Sequence, residues 1–521
     1  MSRINKCSMQ FITALLAAMF SSLVSANTND TKGVHERCGE TACYEESWSS
    51  MAKHQEDAQW LKDAKFGIYF HWGVYSVPAF KNEWYPRNMY IPGTPEFEHH
   101  RQTYGNEVHY ADFIPQFTGE HFDAEQWARL FKQAGAKFAG PVTEHHDGFS
   151  MWDSSVNPWN VNDMGPKVDI LGELATALRA QNLKLITTFH HNKQLNRYQT
   201  PDALAQELSR SVEKESRRFW HSHYPPYPGT PQAAFSDDQL NILFGNIDED
   251  EWLEKFWFGK LKEVINKYQP DILWFDAWLD SIPENYRLKA SAYYLNEALK
   301  NNQDVVLIRK QDDLPDEVSI EDLERSRKQN VEERLWMTDA AISPTSWSHV
   351  ENMTIKKGKD LLHILIDIVS KNGVLLLNIS PQANGLIDEK QQDALLEMGT
   401  WLSLYGEAIY GTSAWKTFGE GPTKQPKGHY DNSKKFQTLV YSEKDYRFTQ
   451  KDNVVYVIQL GKTDSQKIRL KSFTEDSKVK SVIALSDVNN VLWAQNKDGL
   501  EIVPPKRQND LANVYKVTLV K

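Results

Sequence analysis

The stretch Ile272-Leu273-Trp274-Phe275-Asp276-Ala277-Trp278 decides the fold. An apolar run of strand length ends in a carboxylate flanked by tryptophans, and a carboxylate is costly to bury unless it is paired or serves a polar ligand. Three other runs end in the same way. Phe66-Gly67-Ile68-Tyr69-Phe70 stops at His71-Trp72-Gly73, Lys137-Phe138-Ala139-Gly140-Pro141-Val142-Thr143 runs into Glu144-His145-His146-Asp147, and Leu183-Lys184-Leu185-Ile186-Thr187-Thr188-Phe189 runs into His190-His191-Asn192. Ionisable groups recurring at strand C-termini are what a parallel barrel gathers at one face.

Helical spacing of apolar residues fills the intervals. It appears over 122–131 before the run ending at Glu144, over 170–183 before the run ending at His190, and over 252–268 before the run ending at Asp276. This β-then-α alternation predicts an α/β fold, a (β/α)8-like TIM barrel over 48–415. No glycine-rich phosphate fingerprint follows the first strand. The segment 192–250 is too long for an ordinary connection and, with Tyr224-Pro225-Pro226-Tyr227-Pro228-Gly229 and nearby His221 and His223, reads as an elaborated loop over the site. Gly, Pro and Lys cluster over 416–432, which reads as a linker, and short alternating runs beyond it predict a C-terminal antiparallel β-sandwich over 433–521.

At the other end, Arg3 and Lys6 precede a short apolar stretch and the small-residue site Val24-Ser25-Ala26. That pattern predicts a signal peptide over 1–26 and an exported protein, periplasmic or extracellular. The apolar run is short and broken by serines, which argues against a membrane-spanning helix. Cys7 falls inside the signal, so Cys38 and Cys43 of the N-terminal segment 27–47 are the cysteines left, and their close spacing suggests a small disulfide loop in an oxidising compartment. Two cysteines alone cannot build a zinc site. The 521-residue chain has a formal net charge of -11, which gives no global attraction to nucleic acid or to an anionic membrane. Its 17 tryptophans supply side chains that pack on sugar faces as readily as in a core.

Phe70-His71-Trp72-Gly73, Glu83-Trp84-Tyr85, Glu144-His145-His146-Asp147-Gly148-Phe149, Trp274-Phe275-Asp276 and Asn378-Ile379-Ser380-Pro381 with Gly385 occur in this order. The set resembles the alpha-L-fucosidases of glycoside hydrolase family 29. The resemblance implies a catalytic barrel followed by a β-sandwich, retaining release of terminal alpha-L-fucose from fucosylated oligosaccharides or polysaccharides, and no metal or other cofactor. Asp276 matches the family's nucleophile. His71, His145 and His146 match its fucose-binding histidines, and Glu83 and Trp84 match the same pocket. Trp278 and Arg325 are further candidates for substrate contact.

The acid/base departs from the family pattern. Where many members carry a Trp-Glu pair, this chain has Trp336-Met337, and methionine cannot transfer a proton. Glu324 is the favoured substitute because it follows the extended Val318-Ser319-Ile320 and sits beside Arg325; Glu83 and Asp339 are the alternatives. A chain without an effective acid would be a fucose-binding protein rather than an enzyme. Three or more histidines with an aspartate also fit a metal-dependent barrel hydrolase. Against that, the first strand offers His71-Trp72-Gly73 rather than two histidines one residue apart.

Overall fold

The structure is a computed structural model describing residues 44–54, 59–91, 93–194, 238–245, 247–276, 279–426, 435, 439–487 and 489–520. The signal peptide, Cys38 and Cys43, Trp278 and most of the segment 192–250 lie outside the described residues. Eight strands close into a parallel barrel in chain order: β1 Phe66–Phe70, β2 Phe138–Glu144, β3 Lys184–Phe189, β4 Ile272–Phe275, β5 Val306–Arg309, β6 Ile320–Asp322, β7 Trp336–Ala341 and β8 Gly373–Ile379. Closure comes from the parallel pairing of β1 with β8, where Tyr69 faces Asn378.

Helices cover the outside as the periodicity requires. They are α1 Ala124–Gln133, α2 Ile170–Ala180, α3 Gly259–Tyr268, α4 Glu284–Lys300, α5 Gly358–Val369 and α6 Glu389–Tyr405. Asp123 and Asp169 cap α1 and α2 by accepting the Gln126 and Gly172 amides. A π-helical turn, Trp252–Phe258, leads into α3. The connections from β5 to β6 and from β6 to β7 carry no helix, so this part of the ring is built from loops.

Strand periodicity divides the core. Ile68, Phe70, Leu273, Phe275, Leu375 and Leu377 pack outward against the helices. Tyr69, Phe138, Ile272, Trp274, Met337, Val374 and Leu376 fill the barrel interior. A Cβ on Gly67 would overlap the Phe138 ring, so glycine at that position lets the ring occupy the barrel floor. Met337 is fully buried in this interior packing.

The C-terminal region has a six-stranded antiparallel sheet and a three-stranded antiparallel sheet around a core that includes Trp415, Phe448, Val457, Phe473 and Leu500. The linker expected over 416–432 begins differently: Ser413–Glu420 is an edge strand of the six-stranded sheet, paired with Tyr446–Lys451. Its side chains are mostly half-exposed, with Trp415 the one buried anchor, which is why its sequence reads as a linker. Asp367 of α5 joins the two regions through a buried ion pair with Arg447 at 2.5 Å. No helix among the described residues is long and apolar enough to cross a membrane.

Candidate active site

Side chains alternate along a strand, so the interior positions of each strand dictate which residue arrives at the mouth. Ile272 and Trp274 point inward, and Asp276 follows in phase. Tyr69 points inward and brings His71, while Val374 and Leu376 bring Asn378. The backbone of Asp276 continues the sheet by donating to the Phe189 carbonyl at 3.0 Å, and that of His190 donates to the Glu144 carbonyl at 3.0 Å. Residues from β1, β2, β3, β4 and β8 therefore meet at one end of the barrel.

Histidines form one wall of the site. His71, His145, His146 and His190 are each buried, and the rings of His145 and His146 lie 4.5 Å apart, those of His71 and His190 5.4 Å apart. Asn378 Oδ1 accepts both the His71 amide at 3.0 Å and its Nδ1–H at 2.7 Å, while Asn378 Nδ2 donates to the Trp347 carbonyl. This leaves His71 Nε2 as an acceptor, and burial pushes its pKa down to about 3. His146 Nδ1–H donates to the His190 carbonyl at 2.6 Å, which turns Nε2 toward Asp276 Oδ2 at 3.4 Å. Burial holds His190 well below the usual histidine range; its Nδ1 stands 3.5 Å from Asp276 Oδ2. Trp84 lies against His146 with ring centroids 5.1 Å apart.

Carboxylates and one ammonium form the opposite wall. Lys310, which follows β5, places Nζ 3.0 Å from Asp276 Oδ1, 3.0 Å from Glu324 Oε2 and 3.4 Å from Asp339 Oδ2. Two 3.0 Å contacts to one nitrogen bound the separation of Asp276 Oδ1 and Glu324 Oε2 at 6.0 Å. Burial lowers the Lys310 pKa, but Asp276, Asp339 and Glu324 outweigh it and hold the ammonium well above its usual range. Behind it, burial raises Asp322, with the charge of Asp339 adding to the effect, and burial raises Asp339, with the charge of Glu324 adding to it; Lys310 opposes both shifts, and Tyr69 donates its hydroxyl to Asp339 at 2.8 Å.

The sequence-predicted residues fall into two groups. Asp276, Glu324, His71, His145, His146, Trp84 and Asp339 converge directly. Glu83 is buried, accepts the Trp347 amide at 3.2 Å, and is raised by desolvation. Arg325 lies with its guanidinium 4.1 Å over the Trp347 ring. Trp347 in turn stacks on His71 at 5.6 Å, so Glu83 and Arg325 belong to the rim beside the first strand. Lys310 and Asp322 escaped the sequence reading, and His190 was noted at its strand end without a role. The signal for Lys310 was present: Val306-Leu307-Ile308-Arg309 is another apolar run ending in charge.

Among the described residues two sets of side chains could hold a metal: His71, His145 and His190, and His146, His190 and Asp276, each set with ligand atoms within 4.8 Å of one another. A cation on the second set would face Lys310 across the same carboxylate, which already carries an ammonium on Oδ1. The arrangement is otherwise that of a sugar site: a carboxylate aligned by a cation, a second carboxyl group close by, buried imidazoles for hydroxyl groups and indole faces for the ring.

A family model described as Alpha-L-fucosidase matches residues 34–407. Human tissue alpha-L-fucosidase is 29% identical over 482 residues, covering 89% of this chain and 88% of that protein. Human plasma alpha-L-fucosidase is 30% identical over 415 residues, covering 77% of this chain and 78% of that protein. Among solved structures, an alpha-fucosidase from Thermotoga maritima in complex with fucose superposes with a TM-score of 0.70 at 27% identity, covering 91% of this chain and 100% of that one.

Proposed function

Because the chain belongs to the alpha-L-fucosidase family and is a glycoside hydrolase, we propose that it is an exo-acting, retaining alpha-L-fucosidase that removes terminal alpha-L-fucose from glycans by double displacement. One observation carries the mechanism: Asp276 and Glu324 share Lys310, so that Asp276 Oδ1 and Glu324 Oε2 are at most 6.0 Å apart. Retaining enzymes hold their two carboxyl groups about 5–5.5 Å apart, whereas inverting enzymes need about 6.5–9.5 Å to admit a water.

In the first step a carboxylate oxygen of Asp276 bonds to the anomeric carbon as the bond to the leaving oxygen breaks, and Glu324 gives its proton to that oxygen. In the second step Glu324, now a carboxylate, takes a proton from water, the water oxygen bonds to the anomeric carbon, and Asp276 leaves. Lys310 orients Asp276 Oδ1 and favours its ionised form. Once Asp276 is esterified its charge is gone, and Lys310 then stabilises Glu324 as the carboxylate base. The histidines present ring nitrogens to the sugar hydroxyls, those of His71 and His190 kept neutral by burial, and Trp84 supplies a packing surface. We read the protein as exported, on the strength of residues 1–26, and its substrate as a fucosylated oligosaccharide or polysaccharide.

The test is hydrolysis of an aryl alpha-L-fucoside with the product configuration followed by NMR, with and without chelator. Alpha-L-fucose as first product, unaffected by chelator, supports the reading. A beta first product would overturn retention, chelator-sensitive loss would point to the metallohydrolase, and fucose binding without turnover to a sugar-binding protein.

A further inference from the structure

Behind the loop that carries Glu324 lies a small cavity that the reaction does not use. Its wall includes Arg325, Ser326, Arg327, Thr338 and Lys356; the rest of the described lining is aliphatic, and no acidic side chain among the described residues faces it. The volume of about 20 Å³ is enough for one small occupant.

The cations around it are unequally compensated. Arg327 donates to the Tyr441 hydroxyl at 2.7 Å and lies 3.7 Å from Asp367. Lys356 Nζ donates to the Ala341 carbonyl at 2.6 Å but forms no ion pair among the described residues, and burial, with Arg325 and Arg327, lowers its pKa to about 7. Arg325 has Nε and Nη2 buried without a hydrogen-bond partner among the described residues. Those two N–H groups form the side-on fork of a guanidinium, the arrangement that grips an anion. Arg325 and Lys356 thus bring to one small cavity two basic side chains with no ion pair among the described residues, which favours a negative occupant.

We propose that this cavity binds a monovalent anion of halide size and that the bound anion steadies the loop holding Glu324. The wall is that loop's own support. Thr338 Oγ1 lies 2.5 and 2.9 Å from the carbonyls of Leu323 and Ser326, and the Arg325 amide donates to the Asp339 carbonyl at 2.8 Å. Arg325 is also held at a φ of 50°, in the left-handed region, where surrounding contacts must maintain the backbone. Charge placed against Arg325 is therefore transmitted to the neighbouring Glu324.

The experiment compares sodium chloride with sodium gluconate at equal ionic strength, on the purified full chain, by thermal unfolding and by kcat/KM on an aryl alpha-L-fucoside. Crystals soaked in bromide supply an independent position for the anion. The expected result is a saturable rise in Tm with chloride but not gluconate, a bromide anomalous peak in the cavity, and a severalfold rise in kcat/KM. In Lys356→Met the half-saturating chloride concentration should rise at least tenfold; if that variant does not fold, the bromide peak in the unaltered protein decides. Equal effects of chloride and gluconate with no bromide peak would overturn the site, as would an undiminished chloride response in Lys356→Met. Anion binding without a change in turnover would overturn the link to Glu324. That link rests on the fucosidase reading, whereas the bromide peak and Tm do not, so the two failures are distinguishable.

Discussion

Asp276 and Glu324 are held by a single ammonium: Lys310 Nζ is 3.0 Å from Oδ1 of the first and 3.0 Å from Oε2 of the second. Two carboxyl groups this close resist simultaneous ionisation, and a cation between them offsets that repulsion while fixing their distance. In the proposed double displacement this arrangement would let the pair exchange protonation roles between the two steps.

Replacing Asp276 by glycine should abolish turnover of aryl and natural fucosides by roughly 1000-fold or more while the fold persists, because the attacking group is gone. Azide should enter the space left by the carboxylate, restore part of the activity on an activated fucoside and give a beta-fucosyl azide. A folded Asp276→Gly protein with near-normal kcat would remove Asp276 from the nucleophile's role.

For Glu324, the read-out is dependence on the leaving group. A poor leaving alcohol needs a proton, so Glu324→Ala should cost roughly 100- to 10,000-fold on natural fucosides and far less in the first step on activated aryl fucosides. The alkaline limb of kcat/KM should flatten. Glu83 is buried against the Trp347 amide, and its replacement by alanine should slow all substrates alike. The opposite pattern, a leaving-group effect in Glu83→Ala and none in Glu324→Ala, would transfer the acid's role to Glu83.

Lys310→Met tests the clamp. Removing the cation that faces Asp276, Glu324 and Asp339 disfavours carboxylate ionisation, so both limbs of the kcat/KM profile should move to higher pH and kcat should fall. Lys310→Arg retains the charge and should shift the limbs less. An unchanged pH profile in Lys310→Met would show that the two carboxyl groups titrate independently of it.

The barrel and half of its site were legible because strand periodicity is strict: Ile272 and Trp274 inward leave Asp276 no choice but the barrel mouth, and Tyr69 does the same for His71. The other half is carried by the helix-free stretch from β5 to β7, where no period indexes the side chains. Glu324 was named there on local grounds alone. Lys310 escaped because Arg309-Lys310 reads as a solvated basic pair, although burial among three carboxylates makes it the centre of the site. Asp322 and Asp339 lie within strands at inward positions where an apolar residue is expected, and their counter-charge comes from a neighbouring strand that sequence spacing does not reveal. The strand Ser413–Glu420 was hidden by its exposure at a sheet edge.

The last prediction concerns stability against pH. Burial lowers His71 to about 3 and His190 well below its usual range, while in the unfolded chain both titrate near 6.5. Between these values the unfolded state binds more protons than the native state, so stability rises with pH there. The contribution is full above about pH 6.5 and is lost as pH falls toward the native pKa. Each histidine should add roughly 1 kcal/mol of lost stability per pH unit in that window. Urea unfolding at pH 7, 6, 5 and 4 should therefore show a steep decline, and His190→Asn, whose amide does not titrate, should decline less steeply than the unaltered protein even if its stability at pH 7 is lower. Parallel slopes for the two proteins would show that His190 does not remain neutral in the native site.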